Sequence, residues 1–205
     1  MTKNASPKGT ESATADDATS SSARASDPVS AEAPDLSSSG EFVAMSRRLA
    51  LSAKRVIGFL PAIARTPNQD LTILEALARG LTAFVPGDVG LVHGWRASET
   101  SASIATNWVQ DPENPRVIHL SVTGVADRVS AAPALRLVLG DSLPKLSRVL
   151  VDLSEYAVPG SLPGAIDLMD GVVVLVPARR ARWQRVADLV RSVPVAMQLG
   201  AIVID

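Results

Sequence analysis

The chain has 205 residues, 46% of them hydrophobic and 20% charged, with a formal net charge of -1. That supplies apolar material for one sizeable core, and the near-neutral balance gives no global electrostatic reason to expect a nucleic-acid partner. The absence of cysteine excludes thiolate metal sites, disulfides and a cysteine nucleophile.

Residues 1–40 are Ser, Ala, Thr, Asp and Pro with almost nothing large and apolar. Such a segment cannot bury enough surface to offset a backbone entropy of about 1–2 kcal/mol per residue, so a disordered tail is expected there. It lacks the apolar core of a secretory signal, and no apolar run reaches the roughly 18–20 residues that span a bilayer. A cytoplasmic location is expected.

From Glu41 the pattern turns helical. Phe42, Met45, Leu49, Val56, Leu60 and Ile63 recur on one face, with Arg47, Arg48, Lys54 and Arg55 on another, which predicts a basic amphipathic helix and linker over residues 41–69. Such a helix either packs on the main domain or attaches to an anionic membrane surface at the inner face. A second helix is expected from Asp70 to Phe84.

Residues 70–205 read as one α/β domain. Strands are expected at Val89–His93, Arg116–Val122, Arg148–Leu153, Gly171–Pro177 and Gly200–Ile204, with helices at Glu99–Val109, Ala131–Leu143, Leu162–Met169 and Arg179–Arg191. The strands are continuous apolar runs such as "VVVLV", which suits a mostly parallel sheet covered on both faces, the doubly wound arrangement.

In such a sheet ligands sit at the carboxyl ends of the strands. After the first expected strand the chain reads Gly94-Trp95-Arg96-Ala97-Ser98-Glu99-Thr100-Ser101, against the phosphate-loop pattern G-x-x-x-x-G-K-[ST]. The first glycine and the final serine fit. After the third comes Asp152 in "RVLVDLSEY", an acid at a strand end where a Walker B carboxylate would hold Mg2+, and where a turn or cap residue is equally at home.

The order of "LVDLSEYAVPGSLPGAIDLMDGVVVLVPARRARWQRVADLVRSVPVAMQLGAIVID" resembles the second half of the MinD/ParA-like P-loop ATPases, above all the bacterial tyrosine kinases of exopolysaccharide export. Asp152, Asp170-Gly171-Val172, the helix 179–191 and Leu199-Gly200-Ala201-Ile202-Val203 stand where those proteins carry corresponding parts. The resemblance runs from about Thr72 to Asp205. It implies a P-loop NTPase-like fold, with a nucleotide site at Gly94, Ser98, Thr100, Ser101 and Asp152, and with Asp152 as the metal ligand.

The chemistry departs from that pattern. Glu99 replaces the second glycine and Thr100 the lysine, so the loop loses the backbone cradle and the cation that neutralise phosphate. The second strand lacks its acid, and Tyr156 is the only tyrosine, so no tyrosine cluster offers itself for self-phosphorylation. Glu75 and Arg79 give only part of the family's oligomerisation pattern.

His93 and His119 read as ordinary strand residues, and Trp95, Trp108 and Trp183 as packing residues. The expectation is a non-catalytic accessory protein of exopolysaccharide biosynthesis, with no catalytic residue and no cofactor; ATP and Mg2+ are what a residual site would take. Its partner would be a membrane-embedded chain-length or export protein, or a catalytic paralogue. The alternatives are an atypical ATP-dependent tyrosine kinase or ATPase of the same pathway, and a ParA-like positioning factor.

Overall fold

The computed structural model describes residues 40–63, 67–97, 105–125, 131–157, 161–178 and 181–204. Helix α1 (Gly40–Leu51) is followed by strand β1 (Val56–Pro61) and helix α2 (Pro67–Leu81). Next come strands β2 (Val89–Ala97), β3 (Ala105–Gln110) and β4 (Val117–Val125), then α3 (Ala131–Ser142), β5 (Arg148–Asp152) and α4 (Leu162–Ile166). Strand β6 (Gly171–Pro177), helix α5 (Trp183–Ser192) and strand β7 (Gln198–Ile204) complete the order. The seven strands form one sheet, β3-β4-β2-β5-β1-β6-β7. Every neighbouring pair is parallel except β3 with β4. The fold is doubly wound α/β, as expected.

Helices α1 and α2 cover one face, where Leu74 and Leu77 meet Ile57, Phe59, Leu91 and Leu150. Helices α3 and α4 cover the other through Leu135, Val138 and Ile166 against Leu60, Val92 and Val151. Helix α5 lies against Val174 and Val176 through Val186.

Two expectations about elements fail. The basic helix expected within residues 41–69 stops at Leu51, and Val56–Pro61 is a strand with every residue buried. Val56, Leu60 and Ile63 fit a helical spacing by accident, because a short, wholly apolar run carries no period of its own. Asp170 fixes this strand at its start: its carboxylate accepts the N–H of Arg55 at 2.9 Å and of Val56 at 2.8 Å. The Arg55 guanidinium donates to the carbonyls of Leu143 and Leu146, so it is not part of a free basic face. The apolar side of α1 is occupied too, with Phe42 and Met45 packed on the α2 side of the core and Ser46 Oγ donating to Leu77 O at 3.3 Å. Gly80 makes that approach feasible, since a Cβ there would run into Ser46.

The helix expected over Glu99–Val109 is also absent where it can be checked. Ala105–Gln110 is a strand, antiparallel to β4 with Trp108 opposite Leu120; residues 98–104 lie outside the described residues, as does the tail over 1–39. "ATNWV" is rich in β-formers, and cross-strand pairing with β4 outweighs its weak helical spacing.

The turn that follows α2 is held from a distance. Arg116 donates to the carbonyls of Thr82 at 2.7 Å, Val85 at 2.7 Å and Gly87 at 2.6 Å, which ties the turn between α2 and β2 to the start of β4, while the last carbonyls of α2 itself are taken by the N–H groups of Thr82 to Val85. Arg116→Ala is therefore expected to cost about 2 kcal/mol, read as a lower urea midpoint with unchanged slope.

Candidate functional site

Strands β1 and β5 lie side by side, with Phe59 opposite Asp152. From β1 the chain passes to α2 on one face, and from β5 to α4 on the other. Adjacent strands whose connections diverge leave a crevice at their carboxyl ends, where doubly wound sheets place ligands. The strand-turn-helix form that a phosphate loop requires is thus found between β1 and α2.

Gly94 is placed differently. It falls inside β2, which continues to Ala97 and pairs with β4 at Trp95–Val122, Arg96–Thr123 and Ala97–Val125. The next described element is a strand, not a helix. Gly94 therefore opens no loop into a helix, contrary to expectation, because β4 provides a partner for the residues that follow it. Ser98, Thr100 and Ser101 lie outside the described residues.

The β1–α2 turn reads Pro61-Ala62-Ile63-Ala64-Arg65-Thr66-Pro67, without glycine or lysine. Two of its residues are prolines and bring no N–H. The Ala62 N–H donates to Leu175 O at 2.8 Å, so the sheet has already used it. Residues 64–66 lie outside the described residues.

Asp152 ends β5 as expected, and it is only 8% exposed. One carboxylate oxygen accepts the Ser154 N–H at 2.9 Å and the Ser154 hydroxyl, which is the bonding of a turn cap. Behind it Tyr156 is buried, and burial followed by the Asp152 and Glu155 charges pushes its phenol well above the usual range. Among the described residues no group of His, Asp and Glu is arranged to hold a metal ion.

A polar chain runs across the α2 side of the sheet. Asp111, in the turn after β3, is 3% exposed. Its Oδ2 accepts Arg79 Nη2 at 2.8 Å and lies 3.0 Å from His119 Nε2; its Oδ1 accepts the N–H groups of Glu113 and Asn114, each at 2.9 Å. Arg79 also pairs with Glu113. The chain continues from His119 Nδ1 to His93 Nε2 at 3.1 Å. Burial acts to raise the Asp111 carboxyl, but the bonds from Arg79, His119 and the two backbone N–H groups outweigh it and hold it at about 2. Burial pushes Glu75, the neighbouring acid on α2, upward.

The two histidines, read from sequence as unrelated strand residues, are thus joined, and Arg79 is engaged inside the fold. The parallel pairing Leu91–His119 brings them together, since His93 is two residues beyond Leu91 on the same face. Strand adjacency is the needed information, and the order of residues does not carry it. Trp108 packs against the core with Lys145 Nζ 4.9 Å from its ring centroid, whereas Trp183, expected to pack, is 80% exposed. Among the described residues no helix is long and apolar enough to cross a membrane. No protein family, curated protein or solved structure matches the chain.

Proposed function

We propose that the chain is a P-loop-like module that has kept the architecture of a nucleotide-binding sheet without the polyphosphate cradle, and that it acts by binding a protein. The observation that carries this reading is the β1–α2 turn: prolines at both ends, neither glycine nor lysine between them, and the Ala62 N–H committed to β6. A phosphate site needs consecutive N–H groups that converge on the ligand and a cation beside them, and this turn lacks the glycines that permit such convergence and the lysine that supplies the charge. The internal bonding of Asp152 to Ser154 supports the same reading.

On the resemblance of its second half, the protein serves exopolysaccharide biosynthesis or export as a non-catalytic accessory. Its partner on this proposal is the cytoplasmic end of a membrane-embedded chain-length or export protein. The alternative, an atypical ATP-dependent tyrosine kinase or ATPase completed by a partner's lysine, is favoured by the position of Asp152 alone. It requires turnover when the partner is added and loss of turnover in Asp152→Asn.

Calorimetric titration with Mg-ATP and Mg-ADP tests the proposal. No heat and no thermal stabilisation at millimolar nucleotide is the expected result. Saturable binding that disappears in Asp152→Ala would overturn it.

A further inference from the structure

Strand β2 outruns one of its neighbours. Its pairing with β5 ends at Val92–Val151, and from there to Ala97 its one strand partner among the described residues is β4. That remaining ladder is interrupted: the register breaks between Val92 and Trp95, and again between Arg96 and Ala97. His93 and Gly94 occupy the first break. The His93–His119 contact of 3.1 Å, with the rings edge-on at 86°, spans the gap that the main-chain ladder skips.

A bond between two ring nitrogens has room for one hydrogen. With both rings neutral, His119 Nε2–H donates to Asp111, and His119 Nδ1 accepts Nε2–H of His93. One added proton leaves a single hydrogen between the rings, whichever ring carries the charge. A second sets N–H against N–H and one cation against another. We propose that His93 and His119 form a one-proton clasp holding the outgoing end of β2 on β4, and that entry of the second proton opens it.

The charged groups around the pair set its range. Arg79 and Glu75 face it from α2, Asp111 and Glu113 from the turn after β3, and Asp152 from the end of β5. Arg79 and Asp111 largely cancel each other, which leaves Glu75, Asp152 and the more exposed Glu113 as the nearby charges that favour a cationic pair. Burial, then His119, holds His93 below its ordinary 6.5 against the opposing pull of Asp152. A depressed histidine contributes stability that is complete above the unfolded value and is lost as pH falls below it. The clasp therefore holds at neutral pH and opens in acid. The inference stands apart from the nucleotide reading, since it concerns the β2–β4 junction and not the β1–α2 turn.

Histidine ring nitrogen NMR on the full chain, from about pH 8 to about pH 5, is combined with amide exchange at Trp95–Ala97 corrected for its intrinsic rate. In the wild type His93 is expected to titrate below its ordinary 6.5, with exchange rising by up to about tenfold per pH unit as pH falls from that ordinary value to the titration and levelling off beneath it. In His119→Gln the His93 step should move up towards the ordinary value. His93→Gln, whose amide can still donate to His119 Nδ1, should keep exchange flat with pH. A His93 titration at the ordinary value that does not move in His119→Gln, or exchange in the wild type that stays flat to about pH 5, would overturn the clasp.

Discussion

Asp111→Ala is expected to lower stability at pH 7 by about 3–5 kcal/mol, the cost of removing one member of a buried charged network and leaving the rest unpaired. The carboxylate is 3% exposed and accepts bonds from Arg79, His119 and two backbone N–H groups. Asp111→Asn retains the shape and removes the charge. From the fall of the carboxyl from 3.8 to about 2, it should cost about 2–3 kcal/mol. A depressed carboxylate contributes stability above its unfolded value and loses it as pH falls through the folded one. Urea unfolding at pH 7 and near pH 2 checks this: the wild type and Asn variant should differ at the first and converge at the second. Equal stability at pH 7 would mean that the network contributes nothing net.

Gly58→Val is the second large effect. On propensity alone the change should help, since valine favours strands and glycine weakens them. The site forbids it: a Cβ at Gly58 would lie 2.6 Å from Leu153 Cδ1 and 3.0 Å from Met169 Cγ, inside the layer between the sheet and α4. Overpacking of that kind costs about 1–3 kcal/mol. Valine, with two further methyls in a central strand, is expected at the upper end, near about 3 kcal/mol. Gly58→Ala should lie lower, because Leu153 and Met169 are flexible at their ends. Thermal and urea unfolding of the pair, in that order of severity, tests the close approach. A neutral or stabilising valine would show that β1 packs more loosely than these distances say.

Where local patterning and burial agreed, the fold was legible in the residues. Gly171–Pro177 matches its expected bounds because "VVVLV" between Gly171 and Pro177 has no competing period. Helix α3 runs within a residue of expectation. The central strand β1 escaped because four apolar residues flanked by helical ones fit either period, and only contact with β5 and β6 decides between them. The antiparallel β3 escaped for the same reason, its state being fixed by β4. The candidate site followed the fold. Asp152 could be found because it terminates a clear strand, whereas the crevice itself depends on β1. The bond between His93 and His119 depends on which strands are neighbours, information that residue spacing does not hold.

The position of β1 in the sheet bears on how the chain leaves the ribosome. It is the first made of the seven strands among the described residues, yet both its neighbours, β5 and β6, come after β2, β3 and β4 in synthesis. While those strands emerge, the Val56–Pro61 segment has α1 and α2 for company but no strand to pair with, and its apolar edge waits until residues as late as Leu175 have been made. Pairings this distant along the chain are slow to form, and an apolar strand with unpaired edges is what holding chaperones capture during synthesis. Nascent chains stalled before Arg148 should bind such chaperones, and those extended past Pro177 should release them.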